Sequence, residues 1–289
     1  MIKVHTSLNE NHLEEIENVL YDLYPHNWSI LYKNQTKIYE LVGYFKNISE
    51  TELEISQFNK CTPFTTDINF EYSTIKNEDW KNSYKKHFVP WNLNDFHFIP
   101  TWRENEFKNI HSNQKLLIDP GMAFGTGNHE TTKLCLKYLI QNLQKPCSEL
   151  LIDIGCGSGI IALTASLIGF KNVHAVDNDD EAVKNTLINA QLNQIDDIVV
   201  SKKCLGELES TNKFDVVFSN IETSTLIQNA SILCNLVNKN GKLILSGILK
   251  NESSNIHQEY VKLLNEMKIN FELISEDMNE WNLSVFEFT

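Results

Sequence analysis

Residues 150–163 read LLIDIGCGSGIIAL, in which three alternating glycines separate two apolar runs. The first run, Leu150–Ile154, contains Asp153 and is typical of a strand buried on both faces of a parallel sheet. The second run predicts a helix over Ile160–Ile168 that ends at Gly169. Glycines between the two lack Cβ atoms, so a ligand can approach the backbone amides at the helix start. The stretch therefore predicts a strand, a ligand-binding turn and a helix.

The spacing of the glycines narrows the choice of ligand. Gly155, Gly157 and Gly159 give G-x-G-x-G, whereas a dinucleotide-binding G-x-G-x-x-G would need a glycine where Ile160 stands. A turn this tight favours a small nucleoside ligand without a pyrophosphate. Asp177 ends the next strand, VHAVD, where a carboxylate can accept hydrogen bonds from both ribose hydroxyls. We expect S-adenosylmethionine as the cofactor, with a nicotinamide dinucleotide or an unliganded turn as the alternatives.

Apolar runs alternate with helical patterns through the rest of this half of the chain. A helix after the second strand places Val183, Leu187 and Ala190 on one face. Strands separated by helices pair in parallel through right-handed crossovers, which gives a doubly wound α/β sheet. The segment FELISEDMNEWNLSVFEF, residues 271–288, predicts an antiparallel hairpin at one edge. Further strands are expected at residues 173–176, 198–200, 214–218 and 243–245.

The first 75 residues follow a different order, with two helices among four short strands. Apolar residues at helical spacing predict a helix over residues 11–23, and Ser49 with Glu52 forms an S-x-x-E capping box that opens a second helix. The order βαββαβ is that of a split-βαβ, ferredoxin-like α+β unit. The strands are expected at residues 1–8 (MIKVHTSL), 28–33 (WSILYK), 36–45 (TKIYELVGYF) and 67–75 (DINFEYSTI).

The chain is expected to divide into three parts. Its 289 residues suit one large and one small domain. Residues 1–75 form the ferredoxin-like domain, and residues 76–94 form a helical linker around the polar segment NEDWKNSYKKHF. Residues 95–289 form the domain with the mostly parallel sheet.

Composition and charge limit the classes of function. The formal net charge of −13 disfavours nucleic-acid binding and favours encounter with a basic partner. The N-terminus has neither the basic region nor the apolar core of a secretory signal, and no apolar run reaches roughly eighteen residues. Six cysteines show no CxxC pair and no metal-binding spacing, so we expect reduced thiols and no structural metal. A cytoplasmic protein without a membrane partner is expected.

Asn220 ends the strand FDVVFSN, at the sheet edge where doubly wound folds bind ligands. Methylases of planar amide or adenine nitrogens commonly carry D/N-P-P-Y/F at this point, whereas this chain reads SNIETSTL. Without the prolines and the aromatic residue, the site is more open to a flexible amine. We expect Asn220 to be the catalytic residue that orients an acceptor amine, with no strong base required. A plain strand-ending turn residue is the alternative.

A second glycine-rich turn lies at residues 119–132, DPGMAFGTGNHETT. It resembles the ribosomal protein L11 methyltransferase family, whose segment reads close to DPGxAFGTGTHPTT. The segments DWKNSYKKHF, FIPTWRE, SGILKNE and EWNLSVFEF also resemble family segments, so the resemblance runs from end to end. It implies a small ferredoxin-like recognition domain joined through a helical linker to a class I methyltransferase domain.

The resemblance also implies a substrate and a set of site residues. The substrate is a large-subunit ribosomal stalk protein, trimethylated on lysine side chains or on its N-terminal amine. In the family, the second turn folds over the cofactor as a lid, and Thr132, Gly155, Asp177 and Asn220 fall at cofactor-contact positions. The cofactor-binding residues that we predict are Phe124, Gly125, Thr126, Gly127, Thr132, Asp153, Gly155, Gly157, Asp177 and Asn220.

Two substitutions separate this chain from the family's lid segment. Asn128 replaces a threonine, and Glu130 replaces a proline. A glutamate at a helix start interacts favourably with the helix dipole where proline would preset φ, so a helix start stays compatible with both. His129 either contacts the cofactor or caps this helix. The alternative functions are methylation of lysines in a non-ribosomal protein and nonenzymatic binding of the cofactor.

Overall fold

The computed structural model of the chain separates into two compact units, Met1–His87 and Phe88–Thr289. The predicted linker segment at residues 77–88 lies outside the described residues. The residues that the structure describes are 2–8, 13, 16, 19–20, 28–33, 38–62, 69–74, 89–119, 127, 129–143, 149–208 and 213–289.

The Met1–His87 unit is built on a four-stranded antiparallel sheet. Its elements are β1 (Ile2–Leu8), β2 (Trp28–Lys33), β3 (Ile38–Phe45), α1 (Ile48–Cys61) and β4 (Glu71–Thr74). The order β2-β3-β1-β4 arises when each helical crossover skips one strand, so the split-βαβ prediction is confirmed. Residues 13, 16, 19 and 20 are helical, and the rest of the predicted first helix lies outside the described residues.

The start of α1 differs from the prediction. Asn47 is the N-cap, and its side chain accepts a hydrogen bond of 3.0 Å from the amide of Glu50. The Glu50 carboxylate in turn accepts one of 2.8 Å from the amide of Lys46. The predicted box of Ser49 and Glu52 is wrong by two residues, because asparagine caps a helix at least as well as serine. The last strand of the unit also begins later than predicted, at Glu71.

Aromatic rings fill the core between the sheet and α1. The ring of Trp28 lies 5.2 Å from that of Phe45, edge to face, and 5.6 Å from that of Phe58, stacked. Both phenylalanines are fully buried. Gly43 lies in the same core, where a Cβ atom would come within 2.6 Å of the Phe45 ring and 2.8 Å of the Trp28 ring.

The Phe88–Thr289 unit contains a seven-stranded sheet with helices between its strands. The elements are β8 (Leu150–Ile154), α3 (Ile160–Ile168), β9 (Asn172–Asp177), α4 (Asp180–Leu192), β10 (Ile198–Lys202), β11 (Phe214–Asn220), α5 (Thr223–Gln228), α6 (Ala230–Leu236), β12 (Val237–Leu249), α7 (Ser253–Glu266), β13 (Phe271–Met278) and β14 (Trp281–Phe288). The strand order is β10-β9-β8-β11-β12-β14-β13. The first five strands in this order pair in parallel and the last two antiparallel, which confirms the doubly wound sheet and the edge hairpin. Within the described ranges, no helix has the length and apolar character needed to cross a bilayer.

A second, three-stranded sheet precedes this one in the chain and was not predicted. It consists of β5 (Trp91–Leu93), β6 (Phe96–Pro100) and β7 (Lys115–Ile118), with β6 and β7 parallel. The helix α2 (Glu130–Asn142) follows and packs its apolar face chiefly against β12 and β14 of the seven-stranded sheet. The three-stranded sheet thus leads directly into the second glycine-rich turn.

The buried face of α4 is not the apolar one that the sequence predicts. Leu187 is 49% exposed, whereas Asn185, Thr186 and Asn189 are buried beside Ala190. Thr186 and Asn189 bond backbone groups of two neighbouring loops, and Asn185 accepts a hydrogen bond from the Asn189 side chain. Of the residues predicted to share one face, Ala190 is buried and Leu187 is exposed, because loops without secondary structure need the polar partners that α4 supplies.

Candidate functional site

A cavity of about 510 Å³ lies at the carboxyl ends of the central parallel strands. Of the predicted residues, Thr132, Gly155, Gly157, Asp177 and Asn220 line it together, although they come from four separate segments of the chain. A crevice is expected at this point, because strand order reverses between β8 and β11. The full lining is His129, Thr131, Thr132, Gly155, Cys156, Gly157, Ile160, Ile161, Asp177, Asn178, Asp179, Ala182, Asn220, Ile221, Glu222, Gly247 and Trp281.

The glycine turn after β8 adopts backbone angles that favour glycine. Gly155 has φ +74°, and a Cβ atom on it would come within 2.5 Å of Cγ2 of Ile221. The amides of Gly155 and Cys156 both donate to the carbonyl oxygen of Val176, at 2.9 and 3.1 Å. The turn is therefore fixed against the neighbouring strand, and the backbone itself forms part of the cavity wall.

Asp177 stands between the glycine turn and α4. Its Oδ2 accepts a hydrogen bond of 2.9 Å from the amide of Gly157, and its Oδ1 accepts one of 3.0 Å from the amide of Asp179. An ionised carboxylate has about four acceptor positions, so about two stay available for hydroxyl donors of a ligand. This geometry suits the pair of hydroxyls on a ribose.

Asp153 lies beneath the cavity and does not line it. The residue is 1% exposed, and its Oδ2 accepts a hydrogen bond of 3.2 Å from the amide of Ala162 near the start of α3. Its Oδ1 has no partner among the described residues. Burial raises the pKa of Asp153 to about 7, and the charge of Asp177 acts in the same direction. Asp153 therefore supports the turn from within the sheet.

Two polar atoms near the cavity are buried without a hydrogen bond in the part of the chain that the structure describes. They are Oγ1 of Thr132 and Oδ1 of Asn220. Buried polar groups in folded proteins are normally paired, so an unpaired pair of atoms at one cavity indicates a site that a ligand completes.

His129 is the N-cap residue of α2, which is one of the two roles that the sequence left open. Its side chain caps α2 by accepting a hydrogen bond of 3.4 Å from the amide of Thr131, and it also lines the cavity. Its ring lies 4.8 Å from that of Trp281, edge to face. This contact places Trp281, from the edge hairpin, on the cavity wall beside the start of α2.

A family model described as ribosomal protein L11 methyltransferase (PrmA) matches residues 4–287. The chain belongs to this family. A protein of that name from Caldicellulosiruptor saccharolyticus is 32% identical over 295 residues, with 94% of each chain covered. One from Staphylococcus saprophyticus is 30% identical over 280 residues, which cover 93% of this chain and 87% of that protein. The crystal structure of ribosomal protein L11 methylase from Lactobacillus delbrueckii is 29% identical with a TM-score of 0.60, and covers 70% of this chain and 100% of that one.

Family membership confirms three of the expectations from the sequence. The α/β domain is that of a class I methyltransferase, the protein is a protein N-methyltransferase, and S-adenosylmethionine is its methyl donor. The cofactor-binding residues predicted in the second glycine-rich turn are less completely placed. Phe124, Gly125 and Thr126 lie outside the described residues. Gly127 has φ +88° and packs near Ile160 and Trp91, and it does not line the cavity.

Side chains of α4 join Asp119, at the start of the second glycine-rich turn, to the glycine turn after β8. Asn189 donates to the carbonyl oxygens of Asp119 and Ser158, at 3.1 and 2.9 Å, and accepts from the amide of Asp119 at 2.8 Å. Thr186 donates to the carbonyl oxygen of Gly157 at 3.0 Å. The backbone groups of these two segments have no partners in a helix or sheet, and side chains of α4 supply their hydrogen bonds instead.

Several residues of the cavity were missed by the sequence reasoning. Ile221 and Glu222 directly follow Asn220, and Gly247 and Trp281 lie in the segments SGILKNE and EWNLSVFEF. Resemblance to the family marked both segments without assigning either to the site. A second cavity of about 390 Å³ adjoins the first, since Gly155 lines both.

Proposed function

We propose that the enzyme transfers methyl groups from S-adenosylmethionine to lysine side-chain amines of ribosomal protein L11, with the N-terminal amine as a second acceptor of the same chemistry. One observation carries this proposal. Oδ1 of Asn220, at the cavity, is buried and has no partner among the described residues. A buried acceptor is costly unless a ligand supplies a donor, and an amine has N–H groups to donate. The named relatives, which are L11 methyltransferases, suggest the protein substrate.

The residues of the cavity fit the cofactor, which supplies a methyl group already activated on a positively charged sulfur. We assign the ribose hydroxyls to Asp177 and the close approach of the nucleoside to Gly155 and Gly157. Thr132 offers a buried hydroxyl oxygen that still needs a partner. Asp153 holds the turn from below through the amide of Ala162. The proposed cover of the cofactor is the lid segment with Phe124, Gly125, Thr126 and Gly127.

The acceptor amine must lose a proton before it can attack, because a lysine with a pKa of about 10.4 is charged at neutral pH. Desolvation in the cavity and repulsion by a positively charged neighbour both lower the pKa of that amine. Proton loss to water then suffices, and we assign no general base. Asn220 is the proposed catalytic residue, since its free acceptor can orient the amine.

The acidic chain suits a basic protein substrate, because a net charge of −13 attracts a partner of opposite charge. We assign recognition of this substrate to the ferredoxin-like domain at residues 1–75, which residues 76–94 link to the catalytic domain at residues 95–289. A ribosomal substrate would place the enzyme in the cytoplasm. Neither nucleic acid nor a membrane is expected as a direct partner.

The test incubates the purified enzyme with purified L11 and methyl-labelled cofactor, and locates the label by mass spectrometry of L11 peptides. Label on lysine side chains is expected. The variant Asp177→Ala should weaken cofactor binding in calorimetry by about 1.5 to 3 kcal/mol for each charged hydrogen bond lost. Asp197→Ala is the matched control, because Asp197 is exposed and does not line the cavity.

Other outcomes would select the alternative functions. Label that appears on another protein of a cell lysate, and never on L11, would indicate a methyltransferase of a different substrate. Cofactor binding without transfer to any protein would indicate a nonenzymatic binding module. Unchanged cofactor affinity in Asp177→Ala would overturn the assignment of the ribose site.

A further inference from the structure

The turn that follows β11 is held in place from three sides. A Cβ atom on Gly155 would come within 2.5 Å of Cγ2 of Ile221, and one on Gly247 within 2.3 Å of the Ile221 carbonyl oxygen. Thr223 donates a hydrogen bond of 2.6 Å to the Glu252 carboxylate. Close backbone packing and this hydrogen bond leave the backbone of the turn little freedom, so the fold fixes where its residues stand at the cavity.

Glu222 lies in this turn, and its side chain contributes little to holding the turn in place. It is the N-cap residue of α5, yet its carboxylate makes no capping hydrogen bond. Among the described residues, the carboxylate accepts only a long hydrogen bond of 3.5 Å, from Ser224. Glu222 is exposed and is one of the residues that line the cavity, two residues beyond Asn220.

The other carboxylates of the cavity wall are committed to backbone amides. Asp177 accepts from the amides of Gly157 and Asp179, and Asp179 caps α4 by accepting from the amide of Glu181. The acceptor positions left on Asp177 are assigned above to the ribose hydroxyls. Among the described residues, Glu222 is thus the carboxylate of this wall that binds neither a backbone amide nor an assigned group of the cofactor.

The charge of the wall favours a cation. Three carboxylates, those of Asp177, Asp179 and Glu222, line the cavity, and its described lining includes no lysine and no arginine. Trp281 adds an aromatic ring, and a ring face also attracts a cation. A lysine side chain reaches the enzyme as an ammonium ion, which matches this wall.

We propose that Glu222 is a specificity-determining residue that receives the substrate's ammonium group next to Asn220, before the amine loses its proton. The proposal rests on the amine-methylating function proposed above. A nearby carboxylate stabilises the charged form of the amine, so Glu222 strengthens binding and does not assist deprotonation. Its contribution therefore belongs to the KM for the protein substrate and not to kcat, which separates it from a general base.

The test compares Glu222→Gln with the wild-type enzyme in steady-state methylation of L11. The KM for L11 should rise about threefold to fivefold, as for a partly exposed ion pair, with kcat unchanged or slightly higher. The difference in KM should narrow as salt is added, because salt screens an exposed charge pair. Affinity for the neutral thioether product of the cofactor should stay the same. Glu259→Gln, on the exposed side of α7, is the matched control and should change nothing.

A second measurement does not depend on the protein substrate. A cofactor analogue with an amine in place of the sulfonium methyl group carries an ammonium into the cavity, whereas the demethylated thioether product is neutral at that position. Glu222→Gln should weaken the analogue severalfold relative to the thioether. An unchanged ratio would overturn the proposal, and so would a fall in kcat with an unaltered KM. Absence of L11 methylation by the wild-type enzyme would reject the proposed substrate alone, and this ratio would then decide the role of Glu222.

Discussion

Gly155 and Gly43 lie in different units, and each leaves out a side chain for a different reason. Gly155 has φ +74° and faces a cavity across from Ile221. Gly43 lies inside an antiparallel sheet, where the space above its Cα atom holds the rings of Phe45 and Trp28. At Gly155 the missing Cβ atom allows a tight backbone turn beside the cavity. At Gly43 it leaves room for the aromatic rings of the core.

The surroundings of the two glycines differ in the same way. Around Gly155 the protein buries polar atoms that have no partner within the described part of the chain, on Thr132, Asp153 and Asn220. Around Gly43 it buries aromatic rings in mutual contact. Unpaired polar groups and unusual backbone angles cost stability and cluster at functional sites, whereas aromatic packing stabilises a fold. The surroundings of the cavity are thus polar and incompletely paired, whereas those of Gly43 are apolar and closely packed.

The largest expected effect is that of Gly155→Val on cofactor binding. A β-branched residue rarely adopts positive φ, and its Cβ would collide with Ile221 at 2.5 Å. Affinity for the cofactor in calorimetry should fall on the order of 100-fold or more, while circular dichroism shows an intact fold. Gly169→Ala is the control, because Gly169 also has positive φ but a Cβ there meets nothing within 4 Å. Normal binding by Gly155→Val would remove the distinction between the two glycines.

A smaller effect is expected for Gly43→Ala, and on a different property. The added methyl group forces the rings of Phe45 and Trp28 apart, which should cost about 1 to 3 kcal/mol of the free energy of unfolding. Thermal and urea unfolding measure this loss. Cofactor affinity should not change, and transfer to L11 should fall only at temperatures where the N-terminal unit unfolds. Weakened cofactor binding at low temperature would contradict the separation of roles.

The smallest expected effect, counted per pH unit, is a pH slope that Asp153→Asn removes. The pKa of Asp153 is raised to about 7 by burial, so its protonated form stabilises the fold fully below about pH 4. This contribution is lost as pH rises through about 7, because ionisation of the buried carboxyl is unfavourable. Relative to Asp153→Asn, the wild type should lose no more than about 1.4 kcal/mol of unfolding free energy per pH unit in this window. Urea unfolding from pH 4 to 8 checks this, and parallel curves for the two proteins would refute the raised pKa.

The sequence predicts the parts of the fold that depend on local pattern. Apolar runs of strand length and the glycines after β8 were sufficient for the parallel sheet, its turn and the position of Asp177. Local pattern does not predict contacts between residues that are distant in the chain. The buried amide of Asn189 is explained only by Asp119, seventy residues away. Trp281 reaches the cavity because β14 pairs with β12, a register that apolar periodicity does not specify.

The hydrogen bonds of Asn189 couple two segments of the enzyme. One buried side chain donates to the carbonyl oxygen of Ser158, in the glycine turn, and bonds both backbone groups of Asp119, at the start of the second glycine-rich turn. Movement of either segment away from α4 therefore breaks hydrogen bonds of the same side chain. The two segments should therefore exchange their amide protons as one cooperative unit, and a cofactor that protects the turn should slow exchange at Asp119 as well.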